Sequence, residues 1–340
     1  MMNLVDMHCD TISKLIKAAP GQTLAENNLD VNIEGLEKSG TLAQFFACFV
    51  NAASFEDSND TVKELRAPGR KPGEVSQSAW ERAYLSVLEM AERTDREQNE
   101  KIKVACNYAG IMENKKRGVI SAIKTVEEGG VISGQLSRLD DLYKSGIRLI
   151  TLTWNHANCL GYPNSRDKAI MEKGLTEFGI QAVRRMNELG ILVDTSHLSD
   201  GGFWDCIRTS TVPICASHSN ARALCGHPRN LTDEMIRALG ETGGAAGLNF
   251  FPPFLKEDGK AVLDDIALHA VHMIRTGGED VAAVGTDLDG FENEVREQWV
   301  GHVRDMGLVW ETMKRHGITE RQLDKIMQGN ALRVIKEGMK

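Results

Sequence analysis

The sequence predicts a single (β/α)8 barrel of the TIM type, and three observations lead to this fold class. Eight short apolar runs recur along the chain, amphipathic helical patterns separate them, and no G-x-G-x-x-G motif follows the first run. The chain has 340 residues, which is long for one domain. Closed barrels of alternating strands and helices commonly reach this size as one unit, so we expect residues 1–340 to form one domain.

The apolar runs predict a parallel sheet whose two faces are both covered. Between the runs, segments such as TEFGIQAVRRMNELG and LTDEMIRALGETG have apolar residues at helical spacing and a glycine just past the end. Nearly continuous apolar strands that alternate with helices are typical of parallel sheets, and eight of them favour a closed barrel. The runs are LVDMH, TLAQFFACFV, VISAIKTVE, GIRLITLTW, GILVDTSH, VPICASH, GGAAGLNF and VAAVGTD.

Residues 54–112 depart from this rhythm and predict an insertion between the second and third barrel strands. The segment contains a polar loop with RAPGRKPG, a long helix from about Ser78 to Gln98 and a short apolar run, IKVACNYAG, that we interpret as an extra edge strand. Near the end of the chain, TERQLDKIMQGNALRVI predicts a closing pair of helices.

Composition excludes several classes of function. The apolar fraction is 41% and the net charge is -8, with no basic cluster that could follow a phosphate backbone, so nucleic-acid binding is not expected. No apolar stretch approaches the roughly 18 to 20 residues that span a bilayer, and the N-terminus has no signal-peptide pattern. Seven cysteines without a C-x-x-C pair predict reduced thiols and a cytoplasmic protein. Two-fold homodimers are the commonest assembly among soluble oligomers, so a homodimer is the assembly we would expect.

Several of the runs end in polar residues. In a barrel of this kind, the active site lies at the C-terminal ends of the strands. Residues i and i+2 of a strand point to the same face, so the first run should direct His8 and Asp10 inward and Cys9 into the helix layer. Imidazole and carboxylate groups suit Zn²⁺, and one bridging carboxylate would allow two ions that activate a hydroxide between them. The residues at the run ends are His8, Asp10, Glu127, Glu128, His197, His218, Asp287 and Asp289.

Taken singly, each of these residues has a simpler interpretation. A buried histidine is more often a hydrogen-bonded core residue than a metal ligand, and Asp287 or Glu127 alone could cap a helix or form a salt bridge. Structural histidines have no reason to gather at the ends of consecutive strands. The joint pattern therefore favours a metal site.

The motifs MHCDT, TVEEGG, DTSH, ASHSNAR with HPRN, and VGTDLDG resemble those of the membrane dipeptidase (renal dipeptidase) family of zinc peptidases, in the amidohydrolase superfamily. Their order and approximate spacing agree from the first strand to the last. The resemblance implies a (β/α)8 barrel with two zinc ions per chain that hydrolyses dipeptides, including those with a D-residue at the carboxyl-terminal side.

The resemblance also implies roles for individual residues. His8 and Asp10 would bind one zinc ion, His197 and His218 the other, and Glu127 would bridge them, with Glu128 as the alternative. Asp287 would take a proton from the bridging water and pass it to the leaving amine, and Asp289 would be a turn or supporting residue. Arg229 would bind the substrate's α-carboxylate, and Asn249 is also assigned to substrate binding.

One position departs from the family pattern. Many members end the fourth strand with Thr-His, where the histidine stabilises the oxyanion, whereas this chain has Trp154 there. We interpret Trp154 as an apolar wall of the substrate pocket. His156, two residues further on, would point to the same face if the strand continued, and could supply the missing hydrogen-bond donor.

These observations leave three hypotheses for function. The leading one is a zinc dipeptidase that hydrolyses L-Xaa-D-Xaa or L-Xaa-L-Xaa substrates by a metal-bridging hydroxide. A second keeps the two zinc ions but changes the substrate to a lactam, a cyclic amide or an ester, and Trp154 and the insertion are the features that could redirect the pocket. A third, a non-catalytic metal-binding barrel, predicts that a ligand or the proton carrier is missing, and none is.

Overall fold

The fold is a closed barrel of eight parallel strands, as the sequence predicts. The computed structural model describes residues 3–56, 75–292 and 299–340. The barrel closes where β2 pairs with β4, and each of the eight apolar runs contributes one barrel strand. The strands are β1 Leu4–Cys9, β2 Thr41–Phe49, β3 Ile102–Val104, β4 Ile120–Glu127, β5 Ile147–Thr151, β6 Leu192–Asp194, β7 Cys215–Ala216, β8 Ala245–Leu248 and β9 Ala282–Val284.

Helices cover the outside of the barrel and separate its strands. The helices are α1 Thr11–Leu15, α2 Ile33–Lys38, α3 Gln77–Arg96, α4 Tyr108–Lys116, α5 Ser137–Lys144, α6 Lys168–Met171, α7 Glu177–Leu189, α8 Asp200–Thr209, α9 Asp233–Glu241, α10 Pro252–Leu255, α11 Leu263–Gly277, α12 Met306–Arg315, α13 Glu320–Asp324 and α14 Asn330–Gly338. The predicted C-terminal pair corresponds to α13 and α14, which a π-helical turn joins. Among the described helices, none combines the length and the apolar character that a membrane span requires.

The predicted insertion contains the predicted long helix and extra strand. Helix α3 has bounds close to those expected, and β3 pairs in parallel with the first half of β4, beginning at Ile120. From Lys124 onward, β4 pairs with β5 instead of β3. Strand β3 is therefore an addition outside the closed barrel. The RAPGRKPG loop lies outside the described residues.

An apolar cluster fills the barrel interior at its N-terminal end. The cluster takes residues from all eight barrel strands, so it lies inside the ring of strands rather than under the helices. Its strand residues are Val5, Met7, Leu42, Ala43, Phe45, Ile123, Leu149, Leu192, Cys215, Ala245 and Ala283. Helix α14 closes this end of the barrel with Val334 and Ile335. The polar site is therefore confined to the opposite, C-terminal end of the strands.

Two glycines allow close packing just below that polar site. A Cβ atom on Gly247 or Gly285 would lie 1.9 or 1.8 Å from the carbonyl oxygen of Ser217. No side chain larger than hydrogen fits at either position, because the obstruction is backbone that cannot move aside. These glycines let the backbone that carries His218 lie close against β8 and β9.

Candidate active site

The carboxylate of Glu127 lies at the centre of a cluster of histidine and acidic side chains. Glu127 is the last residue of β4, and one of its oxygens, Oε2, lies 3.4 Å from His8 Nε2. The other oxygen, Oε1, lies 3.0 Å from His197 Nε2 and 3.5 Å from His218 Nε2. The two oxygens of one carboxylate therefore face two different groups of nitrogen donors.

His8 and Asp10 both reach the cluster, but strand alternation is not the reason. Val5 and Met7 belong to the interior cluster, while Cys9 packs with the outer core, and the pairing of β1 with β2 shifts register between Asp6 and Cys9. Strand β1 ends at Cys9, and Asp10 lies just beyond it. The register shift therefore brings His8 to the site, where its Nε2 lies 3.5 Å from Asp10 Oδ2.

His197 and His218 present their nitrogens to Glu127 from neighbouring strands. The two Nε2 atoms are 3.1 Å apart, and His197 has a left-handed backbone conformation with φ 66°. Ser217 Oγ lies 2.7 Å from His218 Nδ1 and donates to Asp194 Oδ2 at 2.5 Å. Asp194 and Ser217 thus orient the His218 ring, as supporting groups do at metal sites. Sequence reasoning did not identify either, although both lie within the DTSH and ASHS motifs.

The pKa shifts of Glu127, His197 and His218 favour the protonation states that bind metal, whereas the carboxylates of Glu127 and Asp10 outweigh burial and raise the pKa of His8 well above its usual value. Burial would raise the pKa of Glu127, but the charge of His8 and hydrogen bonds from the histidines lower it well below its usual range. Burial, together with the nearby charge of Arg229, lowers the pKa of His197 to about 4. Burial and the charge of His8 lower the pKa of His218 well below its usual value. An ionised carboxylate and neutral imidazoles are the forms that coordinate metals.

The donor set fits divalent metal ions. Donor atoms of three sets lie within 4.8 Å of one another: His8, Asp10 and Glu127; Glu127, His197 and His218; and His8, His218 and Asp287. His8 Nε2 and Asp10 Oδ1 are buried without a hydrogen-bond partner in the described part of the chain. Burying such atoms unpaired is costly, and a bound cation would remove that cost. Nitrogen and carboxylate donors are ligands that Zn²⁺ accepts.

Glu128, the alternative bridging residue, points away from the cluster. It has a left-handed backbone with φ 96°, and its carboxylate accepts hydrogen bonds from Asn158 Nδ2 at 2.6 Å, from the Gly130 amide at 2.9 Å and from the Trp154 amide at 3.3 Å. Burial raises the pKa of Glu128 to about 7. Glu128 therefore anchors the loop after β5, whereas Glu127 occupies the site.

Asp287 lies at the edge of the cluster, where it is partly accessible. Its Oδ1 is 3.8 Å from His8 Nε2, and Asn249 Nδ2 donates to its Oδ2 at 2.9 Å. Burial raises the pKa of Asp287 to about 7. Asp289 accepts from Thr11 Oγ at 2.6 Å, which agrees with a supporting role for this turn residue.

Asn249 was assigned to substrate binding, but its contacts indicate another role. Its side chain is fully buried, and its Oδ1 accepts from the Phe251 amide at 2.6 Å while its Nδ2 donates to Asp287. Both ends of the amide are thus occupied by the protein, and Asn249 does not line the central cavity. These contacts place the Asn249 amide beside Asp287 and away from the cavity surface.

Arg229 is buried beside the cluster and is only partly paired. Its Nη1 donates to Ser219 Oγ at 2.5 Å, while Nε and Nη2 have no partner among the described residues. Burial lowers the pKa of this guanidinium to about 10. Phe254, whose ring centre is 5.7 Å from Arg229 Cζ, forms the cavity wall in front of it. The unpaired N–H groups are therefore adjacent to the cavity but behind its present surface.

Trp154 lines the central cavity, and His156 does not. The Trp154 ring lies 5.0 Å from the ring of Phe49 and 6.3 Å from that of His197, as expected for an apolar wall. Strand β5 ends at Thr151, so the alternation that would bring His156 into the site has already stopped. His156 instead lines a second cavity, together with Trp80 and Tyr162. The prediction that His156 replaces the missing oxyanion donor has no support in this geometry.

A cavity of about 510 Å³ opens directly above the donor cluster. Asp10, Glu127, His197 and Asp287 line its floor, and aromatic rings form much of its wall. This volume suits a small molecule rather than a polypeptide chain. A parallel barrel with a histidine–carboxylate cluster at the C-terminal ends of its strands defines a metal-dependent hydrolase of the amidohydrolase type.

Comparisons with known proteins agree with this class. The sequence profile of the membrane dipeptidase family, Peptidase family M19, matches residues 1–339. An uncharacterized protein from the pqqA 5′ region of Klebsiella pneumoniae is 32% identical over 275 residues, which cover 78% of this chain and 97% of that protein. An uncharacterized dipeptidase of Schizosaccharomyces pombe is 29% identical and covers 86% of this chain and 68% of its own length.

A solved structure resembles the whole fold. The metallopeptidase from Rhodobacter sphaeroides, crystallised with a phosphinate mimic of the dipeptide L-Ala-D-Ala, is 26% identical, covers 99% of both chains and has a TM-score of 0.84. The chain belongs to the membrane dipeptidase family, and it is a metal-dependent hydrolase of peptide bonds.

Proposed function

We propose that this protein is a zinc-dependent dipeptidase with two metal ions per chain. His8 and Asp10 would hold one ion, His197 and His218 would hold the other, and Glu127 would be shared between them. Nitrogen and carboxylate ligands favour Zn²⁺ over Mg²⁺ or Ca²⁺, which prefer oxygen alone.

The observation that carries this proposal is the arrangement around Glu127. One carboxylate oxygen is 3.4 Å from His8 and the other is 3.0 Å from His197, so the two oxygens serve two separate groups of donors. A site that holds one metal ion would have its nitrogen donors on one side of the carboxylate only. The unpaired His8 Nε2 and Asp10 Oδ1 further support a cation on the first side.

The substrate's orientation follows from the charges around the cavity. Arg229 is a buried cation with two unpaired donor groups, Nε and Nη2, and a guanidinium with free N–H groups suits a carboxylate. We propose that it binds the free α-carboxylate of the dipeptide once the ring of Phe254 moves aside.

Proton transfer is assigned to Asp287. The bound ions would supply an activated water and would polarise the scissile carbonyl. Asp287 Oδ1 lies 3.8 Å from His8 Nε2, beside the site where that water would attack, and its Oδ2 is held by Asn249. Asp287 accepts the proton of the attacking water and delivers it to the leaving amine.

A solved structure of a relative indicates which dipeptides this protein would hydrolyse. The relative from Rhodobacter sphaeroides was crystallised with a mimic of L-Ala-D-Ala, which favours dipeptides whose second residue is D, although L-Xaa-L-Xaa substrates would fit the same machinery.

All seven cysteines are free, which favours a reducing compartment, the cytoplasm.

The test combines metal analysis with a substrate panel. The purified protein is loaded with zinc, its metal content is measured, and amino-acid release is followed from matched L,L- and L,D-dipeptides with and without a chelator. About two zinc ions per chain and chelator-sensitive release, faster with the D-residue, support the proposal. Two bound zinc ions without release from any dipeptide would refute the substrate class and retain the metal site.

A lactam, cyclic amide or ester remains the second candidate substrate. The observation that favours it is Trp154, whose indole ring lines the cavity wall at the position where the family resemblance leads us to expect a histidine. The same panel therefore includes a β-lactam, a cyclic dipeptide and an amino-acid ester. Hydrolysis of these compounds without dipeptide cleavage would select this candidate.

A further inference from the structure

Two lysines line the central cavity and have no part in the mechanism described above. Lys14 lies on helix α1, and Lys17 lies two residues beyond the end of that helix. Both side chains are exposed and line the cavity. The remaining charged side chains that line this cavity among the described residues are acidic, apart from the ring of His197. The lysines therefore form a positive side on an otherwise acidic cavity.

Neither ammonium group is paired with another residue in the part of the chain that the structure describes. Within residues 3–56, 75–292 and 299–340, no ion pair or hydrogen bond from Nζ of Lys14 or Lys17 is present. Asp289, an acid that lines the same cavity, already accepts hydrogen bonds from Thr11 Oγ and the Asp30 amide. Both lysines are consequently available for an anion that enters the cavity.

The position of the lysines on the barrel determines which end of a substrate they meet. They follow β1, whose neighbours are β2 and β9, whereas Arg229 follows β7. In the order β2-β1-β9-β8-β7-β6-β5-β4, closed by the β2–β4 pair, the connection between β1 and β2 lies across the ring from β7. A dipeptide whose α-carboxylate is at Arg229, as in the proposed function on which this step rests, therefore places its amino-terminal residue toward the lysines.

The surroundings of the lysines define the side chain that they would accept. Phe49 at the end of β2 and Phe291 after β9 line the same side of the cavity and offer apolar contact to a short methylene chain. Beyond that chain, two ammonium groups are suited to a carboxylate. We propose that Lys14 and Lys17 select dipeptides whose amino-terminal residue is glutamate or aspartate.

The expected preference is moderate, because the lysines are exposed and water competes with the substrate for them. Exposed ion pairs contribute little individually, so we expect about a tenfold higher kcat/KM for an amino-terminal glutamate than for glutamine. The effect should lie in KM, since the ion pair is equally strong in the ground and transition states. It should also weaken as ionic strength rises.

The experiment compares matched neutral and acidic substrates on the zinc-loaded protein. We would measure kcat/KM for L-Glu-D-Ala and L-Gln-D-Ala with the wild type, the double variant Lys14→Gln/Lys17→Gln and the charge-reversed Lys14→Glu/Lys17→Glu. The expected Glu/Gln ratio is about ten in the wild type, near one in the first variant and below one in the second. Lys173→Gln, which removes a lysine from the wall of the second cavity, should retain the wild-type ratio.

The position of the carboxylate is tested with the reversed pair, L-Ala-D-Glu and L-Ala-D-Gln. If the lysine variants change this ratio and not the first, the assignment to the amino-terminal residue is wrong. Equal cleavage of L-Glu-D-Ala and L-Gln-D-Ala by the wild type overturns the inference but leaves the dipeptidase function standing. Absence of cleavage of every dipeptide overturns both.

Discussion

Asn249 Nδ2 lies 2.9 Å from Asp287 Oδ2 and directs the other oxygen of that carboxylate toward the donor cluster. Asp287 follows β9 and Asn249 follows β8, so a contact between two neighbouring strand ends aligns the proposed proton carrier. Because Asp287 has a left-handed backbone with φ 62°, its side chain is placed by this local conformation together with the hydrogen bond.

The contact predicts that Asn249→Ala lowers kcat more than it raises KM. Loss of a hydrogen bond to a charged group costs about 1.5–3 kcal/mol, which corresponds to a decrease of roughly 10- to 100-fold. Steady-state kinetics across pH checks this, because the pH profile should move while zinc content stays at the wild-type value. A proportional loss of zinc and activity would mean that Asn249 supports the fold and not the proton carrier.

The two adjacent glutamates predict opposite results for the same substitution. Glu127→Gln removes a ligand shared by both proposed metal ions, so we expect fewer than two zinc ions per chain and a loss of activity of at least about 10³-fold. Glu128→Gln is the matched control, since it disturbs the hydrogen bonds to Gly130 and Trp154 and leaves the cluster intact. It should retain two zinc ions while lowering the melting temperature.

Metal analysis of the two purified variants separates these outcomes. Retention of two zinc ions in Glu127→Gln would contradict the bridging role. Loss of zinc in Glu128→Gln alone would reverse the assignment of the two residues.

Most of the fold could be predicted because buried parallel strands appear in the sequence as continuous apolar runs. All eight runs became barrel strands, and β3 appeared at the predicted IKVACNYAG segment. Glu127, His197 and His218 could be predicted for a related reason: the ends of parallel strands meet at one end of the barrel, whatever the distance along the chain.

Sequence patterns are least informative where a residue's position depends on local geometry beyond a strand. His156 was expected at the site by alternation, but β5 ends at Thr151 and alternation ends with it. Asn249 is the penultimate residue of the run GGAAGLNF, and its amide is hydrogen-bonded to Asp287 and to the Phe251 amide. Such pairings depend on which side chains meet across strands, and periodicity along one strand carries no information about that.

The unpaired guanidinium of Arg229 predicts a requirement for a free carboxyl terminus. In Arg229→Met the buried cation that receives the substrate's α-carboxylate is lost. Breaking a buried charge pair costs about 3–5 kcal/mol, or roughly 10²- to 5 × 10³-fold in kcat/KM. The corresponding dipeptide amide has no carboxylate to lose, so the acid-to-amide ratio should fall toward one. Parallel assays of L-Ala-D-Ala and L-Ala-D-Ala amide measure that ratio.

Arg222→Met provides the control for this ratio. Arg222 is paired with Asp200, 2.7 Å from its Nη1, and does not line the central cavity. Its substitution should reduce stability and leave the acid-to-amide ratio at the wild-type value. If Arg222→Met changes the ratio as much as Arg229→Met does, the effect is structural and the carboxylate role is refuted.

His269 links the loop after β7 to the helix layer, and this contact depends on pH. The ring lies on α11, accepts a hydrogen bond from the Ala221 amide at 3.1 Å through Nδ1, and pairs through Nε2 with the Leu255 carbonyl at 3.0 Å. One ring nitrogen accepts and the other donates, so the neutral form is required. Burial lowers the pKa of His269 to about 4.

This shift predicts that His269 destabilises the fold in mild acid. Between about pH 6.5 and pH 4 the unfolded chain takes up a proton at this residue and the folded chain does not, so folding free energy is lost as pH falls. Between pH 7 and pH 4.5 the loss attributable to His269 is about 2.5 kcal/mol. Urea unfolding of the chelated wild type and His269→Gln at both pH values measures it, because the other histidines contribute equally to both proteins and the difference between them isolates this residue. An equal decrease in both proteins would show that the ring is not held neutral by the fold.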